Sequence, residues 1–301
     1  MAANIYLTAL PMTRRTLLAA ALVSPALLKA SSHIDFPTEP RERLSVSTYP
    51  FRDLIGPGKM TLQEFAKTIP QKFNVHGIEP WSHHFESTAP EYVRKLSDSF
   101  ESSGLRVVNI PADIEVHLCG SEEDRRSGLA LYRNWVDAAV LLKSPSIRIH
   151  LPHAPNGDEI QCAVAAIKTL VDYGRSKNIV INIENDEPQT EQPERIVQVI
   201  KTIGSPFLHA LPDFCNSMLV KDSEAYNENA MRMLFPLAFN ISHVKDRESD
   251  AGKMYRVNVD RIFEIAKSAQ YRGYFSMEWD STGDPYEGTR SLLEASLRNL
   301  A

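Results

Sequence analysis

The sequence predicts a single-domain (β/α)8 TIM barrel, and three observations carry that prediction. Strand-like apolar runs alternate with helix-period runs through eight rounds, the order that builds a parallel sheet. The chain after its first thirty residues is about 270 residues long, near the ~250 of such barrels. Connections from strand to helix are longer than those from helix to strand, and barrels carry their sites on the strand-to-helix side. A doubly wound open sheet is the alternative. It is weakened because no GxGxxG follows any strand-like run.

Each element has its own signal. The first strand is expected at Leu44–Tyr49, and its helix opens on the capping-box pattern Thr61-Leu-Gln-Glu64, with Leu62, Phe65, Ala66 and Ile69 on one face. The second strand is His76–Pro80. Its helix starts near Pro90, turns Val93, Leu96 and Phe100 inward and stops at Gly104. Arg106–Ile110 is the third strand. The acidic run Ser121-Glu-Glu-Asp124 reads as the start of the next helix, which repeats apolar residues at Leu129, Tyr132, Val136 and Val140. Ile147–Leu151 is the fourth strand, followed by Ile160, Val164, Ile167 and Val171 at helical spacing. Ile179–Glu184 is a β-branched fifth strand, with a helix at Ile196, Val199, Ile200 and Ile203. Leu208–Asp213 is the sixth, with a helix around Tyr226–Phe235. Phe239–Lys245 is the seventh, with Ile262, Phe263 and Ala266 on its helix. Tyr274–Trp279 is the eighth, and Leu292–Leu300 closes the chain.

Residues 1–30 precede this pattern and read as a signal peptide. Arg14-Arg15 stands directly before an apolar stretch from Leu17 to about Leu28, which resembles a twin-arginine export signal. The stretch is too short to span a bilayer. Leu28-Lys29-Ala30 is a poor cleavage site, so both removal and retention as an anchor stay open. Residues 31–43 are a linker and 44–301 the barrel. The expected location is periplasmic or otherwise exported.

Composition excludes several classes. The chain of 301 residues is 43% hydrophobic and 24% charged, as in ordinary globular domains and unlike disordered or collagen-like chains. Removing Arg14, Arg15 and Lys29 leaves 30 basic against 38 acidic residues, which speaks against a nucleic-acid partner. The three cysteines form no CxxC pair. An odd, sparse count argues against a disulfide framework and a Cys-ligated zinc site.

Four strands in succession end on an acid or a histidine: Glu184, Asp213, His243 and Glu278. In the fifth strand Val180, Asn182 and Glu184 share one face, and the aliphatic Ile179, Ile181 and Ile183 share the other. The aliphatic face suits the helix layer, which turns Glu184 into the barrel mouth. The same parity aligns Ile241 with His243 and Ser276 with Glu278. Three carboxylates and one imidazole without a thiolate favour one divalent ion, Mn²⁺, Mg²⁺ or Co²⁺, with Zn²⁺ as an alternative.

The ordered motifs Ile183-Glu184-Asn185, Pro212-Asp213-Phe214-Cys215-Asn216, Ser242-His243-Val244-Lys245-Asp246 and Met277-Glu278-Trp279 resemble those of the xylose isomerase-like TIM-barrel superfamily, in its sugar isomerase/epimerase branch. The resemblance runs from about Leu44 to the C-terminus. It implies that Glu184, Asp213, His243 and Glu278 bind one metal, Mn²⁺ first, and that Glu184 and Glu278 also transfer protons. The sequence departs from the keto-sugar epimerases of that group at Asn216, where they often carry His. Arg247 is the nearest counterpart of their arginine, at a different spacing. The third strand ends Asn109-Ile110 without the histidine of the endonuclease branch.

Further pocket residues are expected at His150, Trp81, His83 and Lys245, beside Asn216 and Arg247. Trp81 offers a ring for stacking on a sugar, and Arg148 shares parity with His150 and is a candidate partner of Glu184 or Asn182. Lys245 reads first as the partner of a neighbouring acid. Cys215 reads as a buried free thiol. The expected activity is a metal-dependent sugar isomerase or epimerase acting through an enediolate on a small-molecule sugar. A lyase or dehydratase acting on a keto-glycoside or inosose is the alternative. A non-catalytic carbohydrate-binding protein is the reading from another class. No stable membrane insertion is expected once the signal is gone, and a homodimer is the expected assembly.

Overall fold

The computed structural model describes residues 34–153 and 159–301; the expected signal peptide, 1–30, lies outside them. Among the described residues the strands are β1 Leu44–Ser47, β2 Gly77–Glu79, β3 Arg106–Val107, β4 Ser146–Ile149, β5 Val180–Glu184, β6 Leu208–Leu211, β7 Ile241–Val244, β8 Arg247–Asp250, β9 Lys253–Arg256 and β10 Tyr274–Met277. The longer helices that alternate with them are α1 Leu62–Phe73, α2 Pro90–Ser102, α3 Glu122–Leu141, α4 Glu159–Lys177, α5 Pro193–Ile203, α6 Glu224–Leu234, α7 Val259–Ser268 and α8 Pro285–Leu300.

Eight of the strands form one parallel ring. β3, β2, β1, β10 and β7 pair in that order, and β4, β5 and β6 pair separately. Two short junctions close the ring. Arg148 N–H donates to Ile110 O at 2.9 Å and Ala112 N–H to Arg148 O at 2.9 Å, joining β3 to β4. His243 N–H donates to Pro212 O at 3.0 Å and Phe214 N–H to His243 O at 3.2 Å, joining β6 to β7. This is a single-domain α/β barrel, as the alternation of elements predicts. No helix among the described residues is long and apolar enough to cross a membrane.

Most strands end one to three residues earlier than the sequence suggests; β5 ends at Glu184 as expected, and Asp213, at the end of the sixth run, pairs only through an isolated bridge to His243. Both halves of the capping box that opens α1 are made. Thr61 Oγ1 accepts from Glu64 N–H at 3.1 Å, and Glu64 Oε2 from Thr61 N–H at 2.8 Å. The acidic run Glu122–Asp124 opens α3 behind a second capping box at Ser121. Ile181 packs outward against Gly174 of α4, where a Cβ would stand 3.2 Å from its side chain.

The barrel interior is filled in layers. Val108, Leu211, Ile241 and Tyr274 pack together with Phe36 of the linker. Phe36 sets its ring edge-on to Phe239 at 5.5 Å and Tyr274 at 6.0 Å. Beside them lies a buried polar chain. Asn182 Nδ2 donates to Asn240 Oδ1, Asn240 Nδ2 to Ser146 Oγ, and Ser146 Oγ to Asn109 Oδ1, at 3.1, 2.8 and 2.5 Å.

Two expectations are corrected. The stretch Arg247–Val257, one of the long strand-to-helix connections expected to be plain loop, contains the antiparallel β8–β9 hairpin. Its tip residues Ala251 and Gly252 take φ of 48° and 81°, the left-handed pair of a tight hairpin turn. The cysteines also form a disulfide: Cys119 is bonded to Cys162, with Cα atoms 5.7 Å apart. The count is odd because Cys215 remains buried and free. The two partners, 43 residues apart, meet only once the β3–α3 connection folds onto the start of α4.

Candidate metal centre and active site

Four side chains expected from the strand ends come together at the barrel mouth. One ligand atom from each of Glu184, Asp213, His243 and Glu278 lies within 4.8 Å of the others, and all four residues are buried. His243 Nδ1 is 2.8 Å from Glu184 Oε1 and 3.1 Å from Glu278 Oε2. Asp213 is oriented by its own backbone: its Oδ1 accepts from the N–H groups of Cys215 at 2.8 Å and Asn216 at 2.7 Å. Its Oδ2 is buried with no hydrogen-bond partner, as is Glu184 Oε2.

Such oxygens are costly unless something compensates them. A hard divalent cation held by three carboxylates and one imidazole does so, and the donor set fits that ion. The residues present therefore fit the metal that the fold family implies.

Charges around the centre are unequal. Burial works against the charge of His243, but Glu184, Glu278 and Glu79 outweigh it and hold the imidazole well above its usual range. The same field favours a divalent cation. Burial pushes the Glu184 carboxyl up to about 7, against the pull of His243 and Arg148. At Glu278 burial pushes upward too, but His243 and Lys245 overcome it and bring the group to about 2. Two carboxylates at one imidazole nitrogen thus differ in their readiness to hold a proton.

Each carboxylate has its own cation. Arg148 Nε stands 2.9 Å from Glu184 Oε2, as an ion pair without a directed hydrogen bond. Lys245 Nζ lies 3.4 Å from Glu278 Oε2, 2.9 Å from Glu248 Oε2 and 3.8 Å from Asp213 Oδ2. Lys245 also donates to Asn216 Oδ1 at 3.1 Å, which brings Asn216 to the rim of the centre.

On the other rim His150 is held from both sides. Its Nδ1 is 3.1 Å from Glu191 Oε1, and its Nε2 is 3.0 Å from Asp113 Oδ1. Burial opposes its charge, but Glu191 and Asp113 outweigh burial and raise it well above the usual imidazole range. His150, Asp186 and Glu191 also bring one ligand atom each within 4.8 Å. Arg148 Nη1 lies 2.8 Å from His150 Nε2, however, and a guanidinium there repels a second metal ion.

The remaining expected residues divide. Trp81 donates its indole N–H to Asp113 Oδ2 at 2.5 Å and meets Tyr49 edge-on at 5.1 Å. His83 stacks on Trp81 at 4.4 Å from an exposed position. Arg247 is not brought to the cluster; its guanidinium pairs with Asp246 at 2.6 Å, at the start of the hairpin.

The sequence reading missed the part played by Glu79. This residue ends β2, is fully buried, and places Oε1 3.0 Å from His243 Nε2. Asn109 Nδ2 donates to the same oxygen at 2.8 Å. A fourth carboxylate at a strand end was the available signal. Asp113 and Glu191 were missed too, because they lie in connections where no parity applies.

The chain belongs to the xylose isomerase-like TIM barrel family, whose model matches residues 71–300. No curated protein matches it in sequence at a significant level. A xylose isomerase-like TIM barrel protein from Mycobacterium smegmatis, solved in complex with magnesium, is 17% identical over 90% of this chain and 99% of that one, with a TM-score of 0.65. The 3-keto-D-glucoside 4-epimerase of E. coli is 16% identical over 79% and 94%, with a TM-score of 0.63. A probable 3-DHS dehydratase from Bacillus anthracis is 14% identical over 83% and 97%, with a TM-score of 0.63. At these identities the likeness is one of fold.

Proposed function

We propose that this protein is a divalent-metal-dependent sugar isomerase or epimerase that moves a proton at a carbon next to a carbonyl. The observation that carries the reading is the placement of Glu184 and Glu278 at 2.8 and 3.1 Å from one nitrogen of His243, each with its own cation. A binding protein has no need of two buried carboxylates at one imidazole nitrogen, and burying them is costly.

Glu184, Asp213, His243 and Glu278 would hold the ion, with Mn²⁺ first and Mg²⁺, Co²⁺ or Zn²⁺ as alternatives. When bound, it supplies Lewis-acid stabilisation for the negative charge that develops on the sugar oxygens. Glu278, the more acidic group, takes the proton from carbon. Glu184, whose carboxyl is pushed upward, delivers one from the other side. Return to the same carbon gives an epimer; return to its neighbour exchanges aldose and ketose. Arg148 and Lys245 limit the repulsion between the acids. Asn216, Lys245 and His150 border the space where substrate oxygens would lie.

A lyase or dehydratase reading shares the first proton abstraction and expels a leaving group from the next carbon. The dehydratase among the structures of similar fold favours keeping it second. Export to the periplasm is supported by Arg14-Arg15 ahead of the apolar stretch, and by the Cys119–Cys162 disulfide, a bond rare in reducing compartments.

The test is hydrogen exchange in heavy water, with Mn²⁺ and a panel of free keto-sugars and keto-glycosides. Deuterium uptake next to the carbonyl, lost in both Glu184→Gln and Glu278→Gln, is the expected result. A chain that binds metal and sugar with no exchange is a binding protein instead.

A further inference from the structure

A cavity of about 680 Å³ opens beside His150, and the proton-transfer chemistry leaves it unused. Ile114, Val116 and Leu118 of the β3–α3 connection wall it, with Leu151 and Pro152 after β4, and His150 lies at its edge. Its volume falls in the ~300–1,000 Å³ range of sites for drug-sized molecules, more than one sugar ring needs.

The cavity begins next to the metal centre. Arg148 Nη1 is 2.8 Å from His150 Nε2, while Arg148 Nε is 2.9 Å from Glu184 Oε2, so a single guanidinium separates the two spaces. The apolar wall is also fixed in place. The Cys119–Cys162 disulfide ties the connection to α4 directly after Leu118, and Ser121 and Asp124 cap the helix that follows. A wall held in advance lowers the ordering cost of binding. Polar residues line the cavity too, among them Glu115 and His117, which alternate with Ile114, Val116 and Leu118, and Gln189 and Thr190; the three aliphatic side chains themselves offer no partner for hydroxyl groups.

We propose that the natural substrate is a sugar derivative carrying an apolar, ring-sized substituent. The sugar part would bind at Glu184, Asp213, His243 and Glu278, and the substituent would fill the cavity walled by Ile114, Val116 and Leu118. The proposal rests on the metal-centred reading above and adds the substrate class to it.

The test uses hydroxamates, which chelate through two oxygens and carry no sugar stereochemistry. Acetohydroxamate, 4-phenylbutyrohydroxamate and gluconohydroxamate are titrated into the Mn²⁺-loaded protein by calorimetry, with bound metal measured in the same samples. Burial of the phenyl group predicts that its hydroxamate binds roughly tenfold or more tighter than acetohydroxamate. Ile114→Ser and Gln189→Trp should each cut that preference to about threefold or less, with metal content and acetohydroxamate affinity unchanged. Equal affinity for the phenyl and methyl compounds overturns the proposal. So does a preference for the polyol tail, which would indicate a second sugar in the cavity, or a phenyl preference that survives both variants. Absence of bound metal would instead defeat the metal-centred reading, and the proposal with it.

Discussion

His243 turns one ring nitrogen toward Glu79, at 3.0 Å, and thereby aims the other at Glu184 and Glu278. A carboxylate behind a metal-binding imidazole holds its N–H, fixes the tautomer and raises the basicity of the free nitrogen. Asn109 holds Glu79 in turn, and the polar chain through Ser146, Asn240 and Asn182 anchors Asn109 inside the barrel. Orientation of the centre is therefore built from residues that would not touch substrate.

Glu79→Gln tests that relationship. The amide keeps the shape and loses the charge. Metal affinity measured by calorimetric titration should fall by about 10- to 100-fold, with the circular dichroism spectrum unchanged. Unaltered affinity would mean that Glu79 serves packing alone.

Asp213→Asn separates binding from stability. The amide oxygen can still accept from the N–H groups of Cys215 and Asn216, but the orphaned oxygen Oδ2 becomes an amide nitrogen. Bound metal should be lost. Metal-free Tm should hold or rise, since burial disfavours the Asp213 charge, Lys245 offsets this only in part and keeps Glu248 and Glu278 as partners, and Glu278 adds to the cost. A Tm several degrees lower, with metal retained, would show that Asp213 is structural.

Acid sensitivity should come in part from His84. It is buried behind Trp81, its Nδ1 lies 2.8 Å from Thr48 Oγ1, and burial lowers it to about 4 from the ordinary 6.5. Its folded pKa is below the unfolded one, so between these values the unfolded chain binds more protons. The stabilising contribution is present above about pH 6.5 and is lost as pH falls toward 4, amounting to roughly 3 kcal/mol. Denaturant unfolding followed across that window should show the slope, and His84→Gln should flatten it. A variant with the wild-type slope would assign the acid sensitivity to other groups.

Removing the disulfide should weaken the fold and leave the centre intact. Closure of a loop of this length predicts a loss of about 2–4 kcal/mol for a Cys119→Ser/Cys162→Ser variant. Its metal content should equal that of the parent. Loss of metal along with stability would place the β3–α3 connection in the support of the centre.

The barrel was legible because eight apolar runs alternate with eight helical ones; strand parity turned Glu184, His243 and Glu278 inward, and Asp213 was legible as the acid that ends the sixth run. Parity also explains Arg148, which faces Glu184 from the neighbouring strand. Residues outside strands were not legible in this way. Arg247 stands close to His243 in sequence, yet the hairpin that starts at it pairs its guanidinium with Asp246. The hairpin itself was hidden because its strands, Arg247–Asp250 and Lys253–Arg256, are largely polar and show no apolar alternation. Asp113 and Glu191 reach His150 from two separate connections. Cys119 and Cys162 are likewise joined by tertiary packing that no spacing rule encodes.

The central claim is that the four strand-end side chains form one metal centre. Metal content of the purified protein by mass spectrometry, beside a Glu184→Gln/Asp213→Asn variant, tests it most directly. The account predicts about one divalent ion per chain in the parent and none in the variant. No bound metal in either protein after incubation with Mn²⁺ would contradict it.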